Sequence, residues 1–323
     1  MANHTTFKVT KHVTVEDFYT AHAEALQLKL IAGATGLHRR IREGSVNRLG
    51  LALSGFFTYF AEKRVQIMGS AETSYLRSLS KSTLRTRVRA LFSRKIPCII
   101  FARSINPPAL FIEEAEDHQI PIFKSPMITM RMVNAVTIYL ESDFAPQTNE
   151  HASMVDIMGI GTLIRGKSGI GKSECVLSLV EQGFSLVSDD MTRIRLLEGR
   201  ELIGTCPNKV AGYHMEVRGL GIIHVGHIFG VGSIRAEKRV DLVVLLVDWA
   251  EIEDKIDRIG MDQTTTEILG IKVPQVIIPV RPGRDIAKLV QVAAMDQKLK
   301  LMGYNSALEF NQRLIQTMQH NHL

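Results

Sequence analysis

The sequence predicts two α/β domains: a small open α/β amino-terminal domain, then a phosphate-loop α/β domain that ends in helices. Three observations carry this. A chain of 323 residues is long enough for about two hydrophobic cores at roughly 150 residues each. Short apolar runs alternate with helix-like stretches, the pattern of open sheets covered by helices. Finally, Gly166, Lys167, Ser168, Gly169, Ile170, Gly171, Lys172 and Ser173 make a complete GxxxxGK[ST] match.

Composition narrows the class. Hydrophobic residues at 45% and charged residues at 22% are ordinary for a packed globular chain and exclude a disordered or disulfide-built one. Cys98, Cys175 and Cys206 form no CxxC pair, the usage of a reducing cytoplasm. No apolar run approaches the roughly 18 residues of a membrane helix; the best, 242–250, is broken by Asp248. Lys8, Lys11, Glu16 and Asp17 near the start replace a signal-peptide core. The expectation is a cytoplasmic protein with no membrane partner. The net charge of +6 falls in residues 1–150, much of it between Arg77 and Lys95. Leu76, Leu79, Leu84, Val88 and Leu91 predict an amphipathic helix there, with the arginines on its wet face. A basic face can meet nucleic acid. None is expected here, because no aromatic side chains are interleaved to stack on bases.

The elements follow in order. Residues 8–70 read as mixed helix and strand, 96–102 as a buried strand, 109–117 as a helix behind Pro107-Pro108, and 120–123 as another strand. Polar residues 142–150 are the expected linker, setting the domains at 1–140 and 141–323. Residues 154–158 and 162–165 flank Gly159-Ile160-Gly161, a hairpin signature. Pairing about a turn centred near Ile160 places His151 opposite Gly169, beside the phosphate loop. Residues 174–181 read as a helix stopped by Gly183, and 184–188 as a strand ending in Asp189-Asp190. A right-handed crossover makes that strand parallel to 162–165, so both acids belong on the phosphate-loop edge. Residues 241–248 read as a strand whose last acid, Asp248, competes for the Mg²⁺-associated position. The short crossover favours Asp190. Beyond 285, Ile286, Leu289, Val290 and Ala293, then Leu308, Leu314 and Ile315, mark two amphipathic helices around Gly303. Their apolar stripes imply an oligomer.

The loop's chemistry explains its spacing. Glycines let consecutive N–H groups turn inward around phosphate oxygens, and the following helix adds its positive end. Lys172 can reach the outer phosphates, and the Ser173 hydroxyl can ligate Mg²⁺. Further on, Met215, Glu216, Val217, Arg218, Gly219, Leu220, Gly221, Ile222, Ile223 and His224 open a glycine-rich stretch to Arg235. It reads as too flexible for a core element and suited to close backbone approach by a ligand or partner. His214, His224 and His227 match no zinc spacing, and an Mg²⁺-nucleotide site needs oxygen ligands. Asn208-Lys209-Val210-Ala211 puts alanine where a guanine-reading motif needs an acid, which excludes a GTPase.

Taken together, these blocks resemble the HPr kinase/phosphorylase family: His151 with Val155-Asp156, Gly159-Ile-Gly161, the phosphate loop followed by Glu174, Asp189-Asp190, Glu216 to Ile223, Asp257-Arg258, and Pro279, Val280, Arg281, Pro282, Gly283 and Arg284. The likeness is close over 145–305 and weaker over the first 140 residues, where Leu26-Gln-Leu-Lys-Leu and Asn47-Arg-Leu-Gly-Leu carry it. It implies a bifunctional enzyme that phosphorylates a serine of the phosphocarrier protein HPr, with ATP or pyrophosphate as donor. It also implies the reverse, attack of inorganic phosphate releasing pyrophosphate. The resemblance further implies a carboxy-terminal domain related in fold to phosphoenolpyruvate carboxykinase, a homohexamer, and a regulatory or assembly role for the amino-terminal domain. By the same resemblance Asp190 is the serine's proton acceptor and, in reverse, its donor. Lys172 holds phosphate, Ser173 and Glu216 hold Mg²⁺, and His151 and Arg258 complete the catalytic set. Residues 215–224 serve both reactions, and 279–284 serve dephosphorylation. Two positions depart from the pattern: His224 stands where Asp or Asn is common, and Ala152 where Gly is usual. A phosphate-loop kinase or NTPase for a small molecule, and a non-catalytic nucleotide switch, are the alternatives.

Overall fold

A five-stranded sheet with helices on both faces organises the amino-terminal unit. The computed structural model describes residues 12–207, 213–217, 219–252, 264–306, 308–310, 313 and 316. Two compact units part between Ala145 and Pro146. The first runs β1 (Val13–Thr14), α1 (Val15–His22), β2 (Lys29–Ala32), β3 (Arg40–Ile41), β4 (Val46–Arg48), α2 (Gly50–Leu53), β5 (Val65–Met68), α3 (Ser70–Ser78), α4 (Lys81–Phe92), β6 (Ile99–Phe101), α5 (Ala109–His118), β7 (Ile122–Lys124) and α6 (Thr129–Phe144). Its sheet order is β2-β7-β6-β5-β4; β4 to β7 are parallel and β2 is antiparallel at the edge. Parallel strands covered on both faces read as unbroken apolar runs, and Ile99-Ile100-Phe101 is fully buried. Leu53, Leu76, Leu91 and Phe111, from α2 to α5, pack one face. Phe18, Met132, Val136 and Leu140, from α1 and α6, pack the other.

Two expectations change here. The single basic helix over 77–95 is in fact α3 and α4. Leu79 is extended, and the Ser80 hydroxyl accepts from Thr83 N–H as the N-cap of α4, so a capping serine breaks a stripe that looked continuous. Likewise the linker over 142–150 is the end of α6 and a strand. The stripe Met132, Val136, Leu140 continues to Phe144 against the same core, leaving the polar residues between as the wet face. Helix α6 runs through residue 140 to Phe144, and the two compact units part inside the 142–150 stretch.

The second unit contains β8 (Gln147–Glu150), β9 (Ala152–Ile157), β10 (Ile160–Gly166), α7 (Lys172–Glu181), β11 (Ser185–Ser188), β12 (Thr192–Leu197), β13 (Glu201–Thr205), β14 (His214–Val217), β15 (Gly221–His224), α8 (Val225–Phe229), β16 (Glu237–Arg239), β17 (Leu242–Asp248), α9 (Trp249–Ile252), β18 (Thr265–Ile268), β19 (Ile271–Val280) and α10 (Ile286–Leu301). A six-stranded sheet, β11-β9-β10-β17-β19-β18, packs α7 and α10 on one face. Its other face packs against a four-stranded sheet, β16-β13-β12-β8, through Met154, Leu163, Val187, Ile194 and Val243. Strands β10, β17 and β19 are parallel neighbours, so their carboxyl ends share one edge.

The hairpin forms, but its turn is shifted. Ile157 pairs with Ile160, leaving Met158 and Gly159 as a two-residue turn with φ of 52° and 93°. Two left-handed residues give the turn whose twist matches paired strands. The resulting register pairs Ala152 with Arg165 and brings His151 level with Gly166 rather than Gly169. Strand β9 also lies between β10 and β11, antiparallel to both. The two crossover-linked strands thus run the same way without touching. The glycine-rich stretch is more ordered than expected: β14 and β15 pair, and Met215 and Val225 enter the core. Asn208 to Ala211, Leu314 and Ile315 lie outside the described residues. Among the described residues no helix is long and apolar enough to cross a membrane.

Asp156 anchors the hairpin turn: its carboxylate accepts from Gly159 N–H at 2.9 Å and pairs with Arg235 at 2.9 Å, while itself buried. Asp156→Ala should lower unfolding stability by about 1–3 kcal/mol, by stripping a buried acceptor from its partners. Urea denaturation of the variant checks this.

Candidate active site

Strand β10 delivers the phosphate loop, and α7 leaves it. Gly171 sits at φ 100° at the N-cap of α7 and makes no side-chain cap. Elsewhere Thr14, Ser80 and Asp285 cap their helices with side-chain oxygens. The first amides of α7 are therefore open to an anion. The Lys172 ammonium folds back over the loop, donating to the carbonyl oxygens of Gly166 at 3.1 Å and Lys167 at 3.2 Å. Phosphate oxygens are the natural replacements for these carbonyls. Lys167 points outward to Glu251 at 2.5 Å, a contact that holds its ammonium pKa above the ordinary lysine value. Cys175, one turn into α7, is buried, and burial pushes its thiol up to about 12.

Beside the loop stand the two acids after β11. Asp189 Oδ1 accepts from Ser153 Oγ at 2.7 Å and from Ser173 Oγ at 3.4 Å. Burial pushes the Asp189 carboxyl above the usual carboxylate range. The Ser153 hydrogen bond opposes this, the Asp190 charge adds to it, and the Ser173 bond opposes it again. Asp190 is exposed and held at φ 59°, a strained conformation for a non-glycine residue. The two adjacent acids thus have different surroundings, one half-buried among hydroxyls and one facing solvent.

Other expected residues are placed by the sheets. His151 is exposed between β8 and β9. Beside it, Glu150 grips Arg165 through two bonds of 2.7 Å, while Arg165 also donates to Thr266 Oγ1 at 3.1 Å. Glu216 is exposed on β14, opposite Ile222, and no hydrogen bond joins it to Ser173. At the end of β19 the Arg281 guanidinium lies 5.0 Å over the Trp249 ring. Arg284 Nη1 donates to Pro279 O at 3.4 Å. Asp248 accepts from Ala250 N–H at 3.0 Å, capping the next turn. His214, His224 and His227 meet ring to ring at 4.7 and 3.8 Å. Arg258, with Asp257, and Arg218 lie outside the described residues.

Sequence reasoning missed Ser153, the Glu150–Arg165 brace, and the contacts of Trp249 and Glu251. Ser153 left one usable signal, a hydroxyl within the otherwise apolar run Ala152 to Val155. The donor set Ser173, Asp189, Asp190 and Glu216 is all oxygen, which suits a hard cation. Among the described residues no cluster of three or more His, Cys, Asp or Glu could hold a metal, so protein side chains alone do not cage one.

This loop, on a sheet edge that also carries two carboxylates, defines a phosphate-loop protein that uses nucleotide. A family model described as HPr Serine kinase C-terminal domain matches residues 142–314, and one described as HPr Serine kinase N terminus matches residues 13–140. The chain belongs to the HPr serine kinase family. It is 43% identical over 303 residues to an HPr kinase/phosphorylase of Leptospira biflexa, covering 94% of each chain. It is 40% identical over 313 residues to one of Listeria monocytogenes, covering 97% of this chain and 98% of that one. A solved HPr(Ser) kinase/phosphatase from Coxiella burnetii is 34% identical, over 50% of this chain and 98% of its own, with a TM-score of 0.46.

Because burial raises the Asp189 pKa, the folded chain keeps that proton to higher pH than the unfolded chain does. Stability from that proton is full below the unfolded carboxylate value of about 4 and is lost as pH rises through the raised native value. Asp189→Asn should flatten this loss and raise the melting temperature at neutral pH relative to wild type. Thermal unfolding of both proteins across the acidic-to-neutral range checks it.

Proposed function

We propose that this chain transfers a phosphoryl group from ATP or pyrophosphate to a serine of an HPr-like phosphocarrier protein, and removes it again by phosphorolysis. The observation that carries the reading is the open, uncapped start of α7 with Lys172 inside the loop and Asp189 bonded to Ser173. Loop amides and Lys172 hold the donor phosphates, and the exposed Asp190 meets the incoming serine. A serine hydroxyl is a weak nucleophile, so a carboxylate must take its proton as the bond to phosphorus forms. In that step the serine oxygen–phosphorus bond forms, the phosphorus–oxygen bond to the donor breaks, and the proton passes to Asp190. In reverse, an oxygen of inorganic phosphate attacks the seryl phosphorus, Asp190 returns the proton to the departing serine oxygen, and pyrophosphate leaves.

Charge on the transferring group needs positive partners. Lys172 supplies one, Arg258 a second, and His151 sits at the edge where the group passes. Ser173 and Glu216 would hold Mg²⁺, which when bound offsets phosphate charge. Half-buried Asp189 acts differently from Asp190: it orients the Ser173 and Ser153 hydroxyls. Arg281 and Arg284, at the end of β19 on the same edge, are suited by their fixed forks of donors to position inorganic phosphate. The assembly is a homohexamer in this reading, and the amino-terminal unit serves regulation or assembly.

Asp190→Asn should lower serine phosphorylation and pyrophosphate release alike by roughly 10²–10⁴-fold, since an amide neither takes nor returns the proton. Arg284→Ala should weaken phosphorolysis more than phosphorylation. Labelled transfer from ATP to HPr, and pyrophosphate release from seryl-phosphorylated HPr with added phosphate, measure both directions. Near-wild-type transfer by a folded Lys172→Ala variant would overturn the phosphate-loop assignment. ATP turnover without HPr labelling would favour a small-molecule kinase.

A further inference from the structure

A cleft of about 350 Å³ opens at the carboxyl edge of the amino-terminal sheet, and the proposed reaction does not use it. Arg48, Arg103, Ser70 and Ala71 at the start of α3, and Thr129 and Met130 at the start of α6 line it. Its origin lies in the topology. Strands β4 to β7 are parallel, so the ends of β4, β5 and β6 carry Arg48, Gly69 and Arg103 to one edge. Helix α3 then leaves to cover one face and α6 the other. Adjacent helices diverging to opposite faces leave a crevice at the strand ends, where open α/β sheets take ligands. Gly69 lets the two helix starts approach: a Cβ there would fall 2.4 Å from Thr129 Oγ1.

Ala71, Met130 and Val133 make part of the lining apolar, and its two arginines suit an anion. Arg48 is held by buried Glu72 through its Nε at 3.0 Å and a terminal nitrogen at 2.7 Å, which aims its fork and leaves the other terminal nitrogen free of that bond. Arg103 is exposed, and its guanidinium forms no hydrogen bond or ion pair with any described residue. Its donors are therefore open to a ligand at the mouth of the cleft. Arg103 and Ser104 are both left-handed, at φ 59° and 54°, a strain maintained by bonds from their N–H groups to Met127 and Ser125 carbonyls. Helix α6 has no side-chain N-cap, so its first amides add donors at the same mouth. Guanidinium forks match tetrahedral oxyanions better than other charged groups. The volume is at the small end for ligand pockets, enough for a molecule of monosaccharide size.

We propose that this cleft binds a small organic phosphate of monosaccharide size, with Arg103 and Arg48 gripping the phosphate group. Calorimetric titration of the full chain with ribose 5-phosphate tests it, with ribose and inorganic phosphate as separate arms. Saturable binding of ribose 5-phosphate is expected, weakened roughly ten- to hundred-fold by Arg103→Ala, as for loss of a charge-assisted bond. Binding should be unchanged in Lys172→Ala, which alters only the catalytic loop. Arg103 is exposed and unbonded, so its truncation should leave the circular dichroism and melting temperature at wild-type values; Arg103→Lys should retain intermediate affinity. Weaker binding of inorganic phosphate would show that the sugar contributes. The proposal falls if no saturable binding occurs up to about 10 mM, a Kd beyond useful affinity. It also falls if ribose alone binds as well, if Arg103→Ala binds like wild type, or if Lys172→Ala abolishes the signal.

Discussion

A phosphate loop works only if a turn of backbone leaves its amide donors unpaired, and the second unit is arranged around that requirement. Unpaired amides are costly when buried, so the start of α7 has to lie at a sheet edge, open to a ligand. Gly171, at φ 100° and without a capping side chain, creates the opening. The α7 face opposite is anchored by Val176, Leu179 and Val180 in the core, so the exposed end is carried on a rigid element. The parallel order β10-β17-β19 then carries the carboxyl ends of β17 and β19 to the same edge.

The adjacent acids show how one sheet edge yields two chemistries. Asp189 is drawn inward, where Ser153 and Ser173 satisfy it and burial raises its pKa. Asp190, one residue on, is turned out by a left-handed φ of 59°. The left-handed backbone separates a carboxylate bonded to two serine hydroxyls from one open to solvent. Its cost is supported by the surrounding strands, as strain at functional sites requires. The Glu150–Arg165 brace, with its third contact to Thr266, ties β8, β10 and β18 together beside His151.

The amino-terminal unit repeats the same geometric device with different residues. Its parallel strands again end at one edge, and helices again leave to both faces, but arginine side chains replace a glycine-rich loop. Membership of one family accounts for both units, since separate family models match each of them. Within the second unit, Arg281 stacked on Trp249 and Lys167 paired with Glu251 link the end of β19 and the segment after β17 to the loop's surroundings.

Much of this was legible in the sequence because its signals are local. The GxxxxGK[ST] pattern, the helix after it, the Gly183 stop and the apolar run ending at Asp248 each follow from residues a few positions apart, where backbone freedom and periodicity act. Ser80 shows the limit of such reading: the leucine stripe through 76–91 looked continuous, and one capping hydroxyl divided it. The hairpin turn slipped for a similar reason, since Gly159-Ile160-Gly161 offered two centres and only strand twist chose Met158-Gly159. What the tertiary structure decided is everything that depends on strand order. Insertion of β9 between β10 and β11 brought Ser153 to Asp189, and pairing of β12 with β8 set Glu150 against the edge where Arg165 waits. Such contacts join residues 15 to 101 positions apart, and no periodicity records them. The sequence by itself determined which groups could do the chemistry, because their identity and spacing are covalent. Only the folded sheet decided which of them touch, because cross-strand neighbours are chosen by burial of whole faces.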